Sequence, residues 1–302
     1  MIFISTAAEV SWDIWTKTNS MKNILIPTDF SQNASDALDY ALHLLGGSKA
    51  HIHIVNVVPV HAVPGDVPLN TSELVTAELE EARKAMDAIK EFSKVFYGEG
   101  GGAQIKVTTK VAVGGVAYNV KQEANEIKAD LIIMGTQGVN HSFAEKVLGS
   151  ISTSTINEAP CPVILVPIGY KFKPIDNMIF ATNLNHADPY ELWRATELIK
   201  PHVGRVRCVY VTKDESKIEK EELESFAKYM IEHSPSIQTV FNVEESNSVE
   251  KTLSEYAENY DAEMIIMHRS RKSFWKDLFG VRHTKKMASW LKVPMIVMNN
   301  KD

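Results

Sequence analysis

"NILIPTDFS" at residues 23–31 is a run of strand formers ending on Pro27, Thr28 and Asp29, and "NMIFATNLN" at 177–185 restates it with Ala181, Thr182 and Asn183 in those places. Two more pairs follow in the same order: "ADLIIMG" (129–135) parallels "AEMIIMH" (262–268), and "PVILV" (162–166) parallels "PMIVM" (294–298). A plan stated twice in one chain indicates a tandem of two similar units. The second copy is shorter between its first and fourth strands, where "PVHAVPGDVPLN" and "GEGGG" have no counterpart. We therefore expect a first domain over 21–168 and a second, degenerate one over 175–300, joined through "PIGYKFKPID". Residues 1–20 read as an N-terminal arm or a non-native extension.

Inside the first copy, strand patterns alternate with helical ones. "KNILIPTD", "HIHIVNVV", "QIKVTTKVAVG", "DLIIMG" and "CPVILVP" are strand-like, and segments such as "ASDALDYALHLL" place apolar residues at helical spacing between them. Five strands separated by helices imply an α/β fold with a doubly wound parallel sheet of order 3-2-1-4-5, and the repeat implies two such sheets in tandem. The unbroken apolarity of "LIIM" and "VILV" fits strands covered on both faces.

The totals exclude several functions. With 32 basic against 38 acidic residues the net charge is −6, which gives no general attraction to nucleic acid or to an anionic membrane. The two cysteines, Cys161 and Cys208, form no CxxC, so neither a zinc site nor a disulfide framework is expected, and a reducing cytoplasm fits. No run approaches the roughly 20 apolar residues of a spanning helix.

Chemistry concentrates in "LIIMGTQGVNHSFAEKVLGSISTS" (131–154), where an apolar strand runs into Gly135, Gly138 and Gly149, with Ser150 and Ser152 at a helix start. In open parallel sheets ligands bind beyond the carboxyl ends of the strands, where strand order reverses. Gly135 and Gly138 are expected to let the backbone adopt positive φ and approach a ligand without Cβ clashes, and the helix start to make a phosphate seat. Asp29, ending the neighbouring first strand, would face the same crevice. The plainer alternative is that these are turn glycines and that Ser150 is a helix cap. The second copy offers a contrast, since His268, Arg271, Gly280-Val281 and Asn183 stand where the first has Gly135, Gly138, Gly149-Ser150 and Asp29.

"KNILIPTDFS", "GTQG…GS" and "CPVILVP" together resemble the universal stress protein family in its tandem two-domain form, over essentially all of 21–299. The resemblance implies an adenine nucleotide alpha hydrolase-like fold with fifth strands paired across a dimer, so that the two domains of this chain form a pseudo-dimer, open to further homodimerisation. It also implies an adenine nucleotide ligand, ATP with magnesium. Asp29, with Pro27 and Thr28 leading into it, would hold the ribose or adenosine end, and Val57 would meet adenine through its backbone. Gly135, Gly138, Gly149, Ser150, Ile151 and Ser152 would line the ribose and phosphates, with Met134 and Gln137 at the border. Ten residues, 139–148, separate Gly138 from Gly149 where the family pattern has nine, which makes His141, Ser142 and Lys146 candidates for a looser phosphate contact.

No catalytic residue is expected. A nucleophile elbow, a P-loop lysine, HxGH and SGGxDS are all absent, so ATP hydrolysis would be slow and incidental. His51 and His53 share a strand face and read as half-exposed strand residues rather than metal ligands. The basic cluster Arg269, Arg271, Lys272, Lys276, Arg282, Lys285 and Lys286 surrounds Phe274 and Trp275 and reads as a solvated surface, with nucleic acid or an acidic partner as the alternative.

Overall fold

Ten strands and seven helices are seen in the computed structural model, which describes residues 22–46, 48–59, 71–97, 105–136, 150–199, 204–214, 220–233, 238–269 and 291–299. The first half runs β1 (Lys22–Thr28), α1 (Gln32–Leu44), β2 (Ala50–Val58), α2 (Thr71–Tyr97), β3 (Ile105–Val113), α3 (Val116–Glu126), β4 (Leu131–Gly135), α4 (Ser150–Glu158) and β5 (Val163–Val166). The second runs β6 (Asn177–Thr182), α5 (Asp188–Ile199), β7 (Arg205–Thr212), α6 (Lys220–His233), β8 (Thr239–Glu245), α7 (Val249–Asn259), β9 (Met264–Arg269) and β10 (Met295–Asn299).

All ten strands form one sheet of order β3-β2-β1-β4-β5-β10-β9-β6-β7-β8. Each half keeps the expected 3-2-1-4-5 order, and the two five-stranded sheets meet where β5 pairs antiparallel with β10, Ile164 opposite Ile296. That is the fifth-strand pairing the resemblance implied, made within one chain. Alternation along the strands divides the interior in two. Ile24, Ile26, Ile164, Phe180, Ile296 and Met298 face one core, under α1, α2, α5 and α6. Leu25, Val163, Leu165, Ile179, Met295 and Val297 face the other, under α3, α4 and α7. Both cores run across the junction without interruption.

The repeat is visible in the backbone. Non-glycine residues with positive φ come in corresponding pairs, Phe30 (63°) with Leu184 (61°) and Lys128 (51°) with Asp261 (47°). After β1 the Thr28 hydroxyl accepts from Phe30 N at 3.1 Å, and after β6 the Thr182 hydroxyl accepts from Leu184 N at 3.0 Å, so one side chain holds the same unfavourable turn in each half. Lys128 and Asp261 end α3 and α7 in Schellman caps, with Ala129 N donating to Ala124 O at 2.8 Å and Ala262 N to Ala257 O at 2.9 Å.

The connector fastens the halves together. Gly169, at φ +73°, donates its N–H to the buried Asp36 carboxylate of α1 at 2.8 Å, and Tyr170 and Phe172 pack edge-on against Tyr40. Cys161 and Cys208 are buried core residues. Among the described residues no helix is long and apolar enough to cross a membrane. The N-terminal arm and most of the basic cluster lie outside the described residues.

Candidate functional site

Strand order reverses between β1 and β4, and in open parallel sheets the ligand crevice lies beyond the carboxyl ends of the strands at such a point. Pro27 is buried, Thr28 and Asp29 are half-buried at its lip, and one Asp29 oxygen accepts from Ser31 N at 3.1 Å. Ser31 then caps α1, its side chain accepting from Ala34 N. The register of β1 against β2 ends at Thr28 opposite Asn56, whose side-chain amide donates to Thr28 O at 2.9 Å. Strand β2 continues for Val57 and Val58, paired with Ala112 and Val113 of β3. Among the described residues their β1-facing backbone edge therefore has no strand beside it, and the adenine reading uses that edge at Val57.

On the β4 side, the structure corrects the expectation for Gly135. Its φ is not positive: the described glycines with positive φ are Gly114 and Gly169. The glycine serves packing instead. A Cβ there would stand 2.7 Å from Cγ and Nδ2 of Asn33 and 2.9 Å from its carbonyl oxygen, so glycine makes room for the first turn of α1. Met134 faces the α3 and α4 core. The Ser152 hydroxyl, read from sequence as a phosphate donor, gives its proton within the fold, with Gly135 O at 3.1 Å and Thr136 O at 3.3 Å. It pins the first turn of α4 to the end of β4. Ile151 beside it is exposed. Gln137, Gly138 and Gly149, the side chain of Ser150, and His141, Ser142 and Lys146 lie outside the described residues.

The second half fills the corresponding place differently. His268, in the position of Gly135, is buried and meets Asp188 through Nδ1 at 3.1 Å. The other Asp188 oxygen accepts from the Thr182 hydroxyl at 2.5 Å and from Asn185 N at 3.3 Å. By the repeat, Ala187 stands where α1 has Asn33, and Asp188 where it has Ala34. The sequence contrast at Gly135 is thus a compensated exchange: glycine with asparagine in one copy, histidine with alanine and aspartate in the other. His268 turns toward α5, so the absence of a glycine here is explained by packing and does not by itself mark a lost ligand site. Burial, with the nearby Asp188 charge, pushes the Cys208 thiol up to about 12. Arg271 and Gly280 lie outside the described residues.

His51 and His53 stand with ring centroids 3.8 Å apart and share one hydroxyl, Thr108 Oγ1, at 3.2 and 3.1 Å. A hydroxyl has one proton and two lone pairs, so the rings cannot both accept from Thr108, and at least one of them donates to it. Among the described residues no group of three His, Cys, Asp or Glu side chains is placed to hold a metal ion. Burial first, then His51 and Lys106, lowers His53 from 6.5 to about 4. A base whose folded value lies below its unfolded one stabilises the protein above the unfolded value and loses that contribution as pH falls. Stability should therefore decline from about pH 6.5 toward pH 4. His53→Asn, which keeps a partner for Thr108 but cannot titrate, should flatten that decline in urea midpoints taken across the range. Parallel profiles for variant and wild type would refute the assignment.

A doubly wound α/β fold with a switch-point crevice defines a broad structural class, and comparisons with known proteins narrow it. The model of the universal stress protein family matches residues 21–167. A universal stress protein of Methanocaldococcus jannaschii is 32% identical over 149 residues, covering 49% of this chain and 83% of that protein. The chain belongs to the universal stress protein family. Over the full length, a universal stress protein from Archaeoglobus fulgidus superposes with a TM-score of 0.68 at 17% identity, covering 93% of this chain and 97% of its own. A protein of unknown function from Pseudomonas aeruginosa gives 0.56 at 13%, covering 95% of each chain. Identities this low speak to the fold alone, and they extend it across both halves.

Proposed function

We propose that the first domain, residues 21–168, binds ATP, with magnesium, in the crevice between β1 and β4, and that the chain acts as a cytoplasmic binding or regulatory module of the stress response rather than as a catalyst of turnover. The second domain, residues 175–300, is a degenerate copy that completes the pseudo-dimer. Carrying the reading is the Asp29 carboxylate at the end of β1, set beside a β2 edge that β1 leaves open at Val57 and Val58. These groups suit a nucleoside, a carboxylate for ribose hydroxyls or magnesium and a backbone edge for the base. The family match falls on this half.

A second reading, a nucleotide-free interaction protein, draws on Gly135 and Ser152, whose roles are met inside the fold. Calorimetric titration separates the two. ATP should bind the full chain at one per chain, and Asp29→Ala should weaken it about tenfold or more, the scale of a charged hydrogen bond. Gly138→Val should abolish binding while leaving the unfolding transition in place. No saturable ATP binding by wild type would favour the interaction protein, and equal binding by all three proteins would refute the assignment of the site to this crevice.

A further inference from the structure

We infer that the second half clamps helix α4 of the first, with Arg269 and Asn299 as positioning residues for the proposed nucleotide crevice. Left to its own sequence, α4 is a weak helix. "SISTSTINE" consists almost wholly of β-branched and small polar residues, which lose χ1 freedom or compete for backbone hydrogen bonds. It has no basic residue in its last turn to complement the negative end of the dipole.

The missing cation comes from the other half. Arg269, the last residue of β9, donates through Nη1 to Ile156 O at 3.0 Å and Asn157 O at 2.7 Å, carbonyls that the helix itself leaves unpaired. Asn299, the last residue of β10 and 2% exposed, donates to Cys161 O at 3.0 Å, with longer contacts to Ile156 O and Ala159 O. Antiparallel pairing of β5 with β10 makes this reach possible, because it lays the carboxyl ends of the second half beside the amino ends of the first. The clamp is rooted: Arg269 follows His268, which is bonded to Asp188. The tie also runs the other way, since Lys22 of β1 donates to Glu197 O and Leu198 O near the end of α5.

At its opposite end α4 is held by Ser152 on Gly135 O and Thr136 O, beside the crevice. A helix of this length moves as a rod, so fixing its carboxyl end fixes the aim of its amino end. In a chain with a single half, these caps would have to come from another subunit.

The consequence for binding rests on the nucleotide reading, and two measurements on the full chain keep the two claims apart. Calorimetry compares ATP with adenosine, which lacks phosphates. Arg269→Ala should weaken ATP about tenfold and leave adenosine within about twofold, and Arg269→Lys should recover most of the loss. Equal weakening of both ligands, or of neither, overturns the positioning role. Hydrogen exchange reads the clamp without any ligand: amides of residues 150–158 should exchange faster in Arg269→Ala and in Asn299→Ala, while β1 and β2 stay protected. Unchanged protection of α4 in both variants overturns the clamp, whatever the nucleotide result. If wild type binds neither ATP nor adenosine, the nucleotide reading falls and exchange alone decides the clamp.

Discussion

A Gly135→Ala chain should unfold at a lower urea concentration than wild type, with a loss of about 2 kcal/mol. The added methyl meets the Asn33 side chain at 2.7 Å and its backbone carbonyl at 2.9 Å, closer than real Cβ contacts come, so the first turn of α1 must shift. Asn33→Ala removes the side-chain part of that clash and leaves the carbonyl. The double variant should therefore regain part of the loss, with a coupling of about 1 kcal/mol in the cycle. Importing the other copy's solution, Gly135→His with Asn33→Ala and Ala34→Asp, should be better tolerated than Gly135→His alone. Should Gly135→Ala prove neutral for stability but abolish ATP binding, the glycine serves the ligand and the packing account is wrong.

A larger effect is expected at the junction of the halves. Ile164 of β5 lies opposite Ile296 of β10, both fully buried, in a core shared by the two halves. Ile164→Asp removes an aliphatic side chain and places a carboxylate where it gains no partner, a loss on the order of 5 kcal/mol. Ile164→Val, at about 1 kcal/mol, controls for volume. Because the same cluster spans both halves, the aspartate variant should lose the cooperative transition of the whole chain. A variant that still unfolds in one transition near the wild-type midpoint would show that the junction adds little to stability.

Asp29 reads from strand pattern alone as facing the crevice, because a parallel sheet of this order puts the end of its first strand there. The ten-strand plan was legible for the same reason: period and repeat are properties of neighbouring residues. Partners distant in the chain were not. Arg269 reads in sequence as one of a run of surface cations, yet its acceptors lie 113 and 112 residues away, on a helix of the other half. His268 reads as a histidine replacing a glycine, and its partner Asp188 is 80 residues distant. A compensating pair with no local pattern leaves no signal in one sequence.

By itself, then, the sequence determined that this chain folds as two copies of one doubly wound α/β plan, since strand and helix follow from local spacing and the copies follow from repetition. Tertiary structure alone decided that two continuous cores run across the paired fifth strands, that Gly135 yields to Asn33, and that α4 is capped from across the junction. The physical reason is that packing and capping are settled by which surfaces meet once the strands have paired, and antiparallel pairing of β5 with β10 brings together ends that the chain itself keeps far apart.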